Sequence, residues 1–73
     1  MSNDSSQVGK LVRGRFVNME ALGVVFSEYS HTFGGVKMFY YTIYWFMGDG
    51  VVFSGYTPKD VARLANAATN KKG

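Results

Sequence analysis

Apolar and polar side chains alternate through most of the chain from Lys10 to Tyr56, and the alternation is broken by short polar or glycine-rich stretches. In "KLVRGRFVN" (Lys10–Asn18), Val12, Gly14 and Phe16 share one face, and Leu11, Arg13, Arg15 and Val17 the other. That period of two predicts a half-buried strand, with Gly14 suggesting a bulge. "NMEAL" is too short to hold a helix and is expected to be a connection. "GVVFSEYS" (Gly23–Ser30) predicts a second strand, in which Val24, Phe26 and Glu28 alternate with Val25, Ser27 and Tyr29. "HTFGGVK" is expected to be a loop, because Gly34–Gly35 supplies the positive φ that a chain reversal needs. "KMFYYTIYWFM" (Lys37–Met47) predicts the third and longest strand: it is rich in aromatic and β-branched residues and has no Gly or Pro. "MGDGVVF" predicts a tight hairpin into a fourth strand, "VVFSGY". Its turn is either Asp49–Gly50 as a primed turn or a three-residue loop with Gly50 left-handed, and the two differ by one residue in register.

The period changes in "TPKDVARLANAATNKKG". Thr57 is placed to cap a helix, Pro58 to take its first position, and Asp60 to complete a capping box. Val61, Leu64, Ala65 and Ala68 fall at the spacing of one apolar stripe. Lys59, Arg63, Asn66 and Asn70 face away. Lys71 and Lys72 stand where the negative end of the helix favours them, and Gly73 follows.

These elements predict an α+β fold: a four-stranded antiparallel sheet with one C-terminal helix packed on one face. The polar residues 1–9 are expected to form a flexible N-terminal arm, and residues 10–73 a single small domain. Six of the twelve aromatic residues lie between Lys37 and Met47. Alternation sends Phe39, Tyr41, Ile43, Trp45 and Met47 towards the helix, with Val61 and Leu64 expected on Ile43 and Trp45. Met38, Tyr40, Thr42, Tyr44 and Phe46 point the other way. One helix covers one face, so the second set has no covering layer. Three accounts are open: a sheet curled nearly into a barrel, ordinary tyrosine pairs on a wet face, or an aromatic docking patch rimmed by basic residues.

Seventy-three residues support one core only. The absence of cysteine excludes a disulfide framework and thiolate zinc sites. No signal-peptide pattern or apolar run of membrane-spanning length occurs, which leads us to expect a soluble, cytoplasmic protein without a membrane partner. The net charge of +3 is spread along the chain and selects no partner class.

Catalytic chemistry finds little support. The single histidine, His31, falls in the expected Ser-His-Thr loop as a solvated side chain, without a nucleophile elbow. Asp49 belongs to its turn and Asp60 to its cap, leaving too few acids for paired carboxylates or a metal site. No catalytic residue, metal or cofactor is assigned. "GDG" and "FGG" lack the Lys-Ser/Thr and following helix of a phosphate loop. Sheet-face aromatics beside Arg and Lys are also how small single-stranded nucleic-acid modules stack bases, with Arg13, Arg15, Lys37, Tyr40 and Tyr44 in those parts. "RGRFV" matches the basic–glycine–aromatic motif of such modules only in part.

In size and make-up, and through "GKLVRGRFV", "LGVVFSEYS" and "MFYYTIYWF", the chain resembles small phage-encoded regulators of bacterial host RNA polymerase, such as that of a Xanthomonas-infecting phage. The resemblance implies docking on the largest polymerase subunits, in the host cytoplasm. It also implies inhibition of initiation through interference with sigma-factor function, and suppression of termination. Nucleic acid would be met only indirectly. The face count assigns Lys10, Arg13 and Arg15 to edge or charge contacts with the partner and Tyr29, Tyr40 and Tyr44 to buried anchors. A homodimer using the same aromatic face is an open alternative.

Overall fold

The computed structural model describes residues 7–69. Strands β1 (Leu11–Phe16), β2 (Met19–Phe33), β3 (Val36–Trp45) and β4 (Val51–Tyr56) lie side by side in chain order as an antiparallel meander, followed by helix α1 (Pro58–Thr69). The α+β arrangement expected from the periodicity is therefore the one observed. β1 and β4 are the two edges of the sheet and do not pair, so it does not close into a barrel, and Met38 and Phe46 of the second set are exposed. The expected N-terminal arm lies mostly outside the described residues. Its last residue, Gly9, donates its N–H to the Val25 carbonyl at 2.8 Å and so sits against the sheet. Asn70, Lys71, Lys72 and Gly73 also lie outside the described residues.

Several local expectations are corrected. "NMEAL" is not a connection: β2 begins at Met19, and only Val17–Asn18 separates the paired residues Phe16 and Met19. The pull of β1 as a pairing partner overrides the helix-forming tendency of Met, Glu, Ala and Leu. "HTF" likewise belongs to β2, because Phe33 pairs with Val36 and the reversal is confined to Gly34 and Gly35, both at positive φ. Two positive φ values in a two-residue turn are what the right-handed twist of a hairpin prefers. The β3–β4 connection is longer than either anticipated turn, although Gly50 has the positive φ (102°) that the second expected. Trp45 pairs with Val51, and the Gly50 N–H closes a turn onto the Met47 carbonyl at 2.8 Å with Gly48 and Asp49 between them. Gly48 (φ 57°) occupies the first central position, where only glycine is comfortable at that angle.

The bulges also lie elsewhere than Gly14, whose pairing with Ala21 is regular. In β2 the register shifts between Val25 and Ser27, leaving Phe26 as an extra residue. In β4 it shifts at Gly55, which has positive φ and stands between the Ser54–Thr42 and Tyr56–Tyr41 pairs. The first bulge reverses the phase of β2, so Glu28 joins Tyr41 on the helix side and Tyr29 joins Tyr40 on the other.

Gly14 and Gly23 make room for Trp45. A Cβ on Gly14 would lie 2.7 Å from Cη2 of that ring, and one on Gly23 would lie 2.8 Å from its Cε3. The indole thus lies across the two neighbouring strands, over positions that carry no side chain. Phe16 meets it edge-on at 4.9 Å, and its Nε1 donates to the Tyr56 hydroxyl at 3.2 Å. Trp45 is only 1% exposed, and Val12, Ala21, Val25, Tyr41, Ile43 and Val61 complete the core around it. Burial of such a ring contributes about 4–6 kcal/mol by area.

Helix α1 starts as expected. The Asp60 N–H donates to the Thr57 hydroxyl and the Thr57 N–H to the Asp60 carboxylate, each at 3.2 Å. The Thr57 backbone and side chain, with smaller help from Arg63 and Lys59, hold the Asp60 carboxyl below its ordinary pKa. The helix lies chiefly along β1, with Val61 in the core and Leu64 and Ala65 packed against it. The helix-side face is consequently less covered towards β4, where Phe53 stacks on Phe16 at 6.4 Å and stays 45% exposed. Phe39, expected in the core, is exposed because it lies beyond the pairing of β1 and β4.

Two substitutions test this packing. Gly23→Ala is expected to cost about 3 kcal/mol, because its Cβ also meets the Tyr44 carbonyl oxygen at 2.7 Å, and Gly14→Ala, which meets only ring atoms, about 1–2 kcal/mol. Urea unfolding followed by tryptophan fluorescence distinguishes the two. At the β1–β2 turn Val17, 95% exposed, is the one described non-glycine residue at positive φ (31°). Val17→Gly is expected to raise stability by about 1 kcal/mol, measured as a higher urea midpoint at unchanged slope.

Candidate interaction surface

The pairing registers define what the face opposite α1 carries. Leu11, Val24, Tyr44 and Val52 form one row across all four strands. Arg13 and Leu22 form the next, extended by Phe46, whose N–H donates to the Leu22 carbonyl at 2.8 Å. Tyr44 and Phe46 meet edge to face at 5.4 Å. The Tyr44 ring also lies over Gly50, where a Cβ would collide with its hydroxyl. Leu11, Leu22, Phe46 and Val52 are all exposed; Leu11 borders a cleft beside α1, and no element among the described residues covers the other three.

A polar row, Ser27–Thr42–Ser54, bounds this apolar area, and its Thr42 and Ser54 hydroxyls are bonded at 3.0 Å. Beyond it, β2 and β3 continue past the ends of their outer neighbours as a two-stranded ribbon, with Tyr29 to Phe33 paired to Tyr40 to Val36. A two-stranded ribbon is marginally stable by itself, and cross-strand ring contacts supply its side-chain support. Tyr29 stacks on Tyr40 at 5.7 Å. His31 meets Tyr29 and Phe33 at 5.8 Å and Tyr40 at 6.0 Å. Met38 and Val36 fill the same face of β3 and are exposed. On the helix-side face of the ribbon, the Lys37 ammonium lies 5.8 Å from the centre of the Phe39 ring.

The six residues assigned from the sequence do not form one cluster. Tyr29 and Tyr40 are together on the ribbon, and Tyr44 stands on the body of the sheet beyond the polar row. Arg13 and Arg15 are on the same face at the β1 edge, where both approach the Glu20 carboxylate, at 4.0 and 3.4 Å. One acid between two arginines leaves about one net positive charge there, and such exposed pairs contribute little stability. Lys10 falls in phase with Val12 and lines a cleft with Ala62, Ala65, Asn66 and Thr69 of α1, so it stands apart from the tyrosines. Sequence reasoning placed Met38 on this face but missed His31 and Phe33 as members of the surface. The alternation through Tyr29, His31 and Phe33 is visible in the sequence, but the neighbouring glycines made the segment look like a loop.

His31 is thus an exposed strand residue among rings, not a loop side chain. No group of three or more His, Cys, Asp or Glu side chains able to hold a metal ion occurs among the described residues. No described helix is long and apolar enough to cross a membrane. The surface is suited to contact: rings and aliphatic groups backed by a hydrogen-bonded sheet.

Comparison with protein-family models, curated proteins and solved structures finds no significant match to this chain.

At the root of the ribbon, on the helix side, the buried Tyr41 hydroxyl donates to Glu28 Oε2 at 3.1 Å. Burial first, and then the hydrogen bond and charge of Glu28, raise the Tyr41 pKa above 10.0. The unfolded chain therefore loses this proton before the folded one. The corresponding stability is complete below pH ~10 and is lost as pH rises through the folded-state pKa. Tyr41→Phe is expected to flatten the alkaline fall of the unfolding free energy, read from urea midpoints across that range.

Proposed function

We propose that this protein is a non-enzymatic regulator that binds the largest subunits of bacterial RNA polymerase, inhibits initiation by interfering with sigma-factor function, and suppresses termination. The observation that carries the binding mode is the uncovered sheet face, prolonged by a ring-bearing ribbon that pairs with no outer strand. Aromatic side chains held by a rigid sheet lose little conformational entropy on docking, and buried Tyr anchors are common hot spots at protein interfaces. The choice of polymerase rests on the resemblance carried by "GKLVRGRFV", "LGVVFSEYS" and "MFYYTIYWF". Action by steric and allosteric interference suits a domain with many exposed rings and, among the described residues, no cluster of His, Cys, Asp or Glu.

The charge distribution favours a protein partner over single-stranded nucleic acid. A base-stacking platform needs cations along its rings to hold the phosphates. Here the two arginines of β1 share Glu20 at the far edge of the body, and the rings on the outward face of the ribbon are backed by one lysine on its reverse side.

Pull-down from nuclease-treated bacterial lysate is expected to recover RNA polymerase, identified by its largest subunits. The paired change Tyr29→Ala, Tyr40→Ala should weaken that binding roughly 30-fold or more if these rings are hot spots. Retention on single-stranded DNA that falls steeply with salt and needs the same two rings, without polymerase recovery, would overturn the proposal.

A further inference from the structure

We propose that the β4 edge is a self-association site, through which two copies pair antiparallel about a two-fold axis centred on Val52 to form one eight-stranded sheet. The two edges of the sheet differ in how they are guarded. β1 carries Arg13 and Arg15 with their Glu20 partner and lies under α1. β4, "VVFSGY", has no charged residue and no proline, and Val52, Phe53, Ser54 and Gly55 are exposed along it. An uncharged apolar edge whose one bulge, at Gly55, lies towards its far end from Val51 is a template for another strand. Among the described residues the basic side chains are Lys10 beside β1, Arg13 and Arg15 on β1, Lys37 on the ribbon, and Lys59 and Arg63 on α1, so described parts of two copies meet with least repulsion at β4.

The register follows from hydrogen-bond alternation. The Phe46 N–H points towards β2, so backbone groups at Trp45 and Ile43 point towards β4 and engage Val51 and Phe53. Val52, between them, presents its N–H and C=O outward. Pairing Val52 with Val52 of a second copy satisfies these groups reciprocally and sets Val51 opposite Phe53 on the helix side. An axis normal to the sheet keeps both helices on one side and away from the seam. On the opposite side, the row Leu11–Val24–Tyr44–Val52 continues without interruption into its counterpart. With Val52 on the axis, Val51, Val52 and Phe53 of the two strands stand opposite one another and Ser54 faces Gly50 just beyond them, a contact well below the roughly 20–30 residues a side of a standard interface, so the dimer forms only at high micromolar concentration.

Sedimentation equilibrium of the isolated chain from low micromolar to millimolar concentration tests this without reference to polymerase binding. The wild type is expected to shift from monomer to dimer. Val52→Lys and Val52→Glu, each at an exposed position, should stay monomeric, whereas their equimolar mixture should restore the dimer through opposite charges at the axis. Restoration in the mixture also excludes misfolding as the cause of the loss. A monomeric wild type at millimolar concentration, dimers in either single variant, or no dimer in the mixture overturns the proposal. So does self-association that survives Val52→Lys but is lost with Tyr40→Ala, which places the contact on the ribbon.

Discussion

The structure depends on how Trp45 is housed. A domain of 73 residues without cysteine has one small core to hold it together, and its largest buried side chain lies flat across two strands. That arrangement is possible only because Gly14 and Gly23 leave backbone beneath the ring. Ala21, also small, extends the same floor. With the indole lying low, α1 can approach β1 closely and close the core with Val61 and Leu64. Glycine weakens a strand by itself, and here the loss is offset by the area the ring buries.

Placement of the helix follows from that floor. Small residues on β1 and β2 draw α1 to that side, and the β4 end of the same face keeps Phe53 partly in water. Among the described residues, no element covers the opposite face. The apolar surface left exposed is therefore a consequence of one helix serving a sheet wider and longer than itself, and it coincides with the strands richest in rings. A face so composed would be a liability for solubility. The polar row Ser27–Thr42–Ser54 divides it into smaller areas, and arginine, glutamate and lysine side chains lie at its margins.

Features set by neighbouring residues were legible in the sequence. The Thr57–Asp60 cap, the stripe on α1, the Gly34–Gly35 reversal and the division of β3 into two faces all follow from local periodicity and turn chemistry. Features set by distant residues were not. Met19 to Leu22 contain good helix formers, and only the presence of β1 alongside makes them a strand. Gly14 suggested a bulge because nothing in "VRGRF" reveals that Trp45, far along the chain, crosses over it. The Phe26 and Gly55 bulges depend on how β2 and β4 match β3, which alternation within one strand does not record. Among the candidate contact residues, Tyr29 and Tyr40 were both assigned from the face count, but their direct pairing needed the register and the Phe26 bulge. The separation of Lys10 from the tyrosines and the sharing of Glu20 by Arg13 and Arg15 needed the register.

The two bulges flank the same point of β3, one opposite Thr42 through Ser27 and the other beside Tyr41 through Gly55. Each sharpens the local twist of its strand. The ring-bearing surface is accordingly two facets meeting along a hydroxyl-lined crease, one on the body and one on the ribbon. A flat counterpart can lie against either facet alone. Only a counterpart with a matching corner can seat on both, so on the proposed reading shape, more than charge, would set what this surface selects.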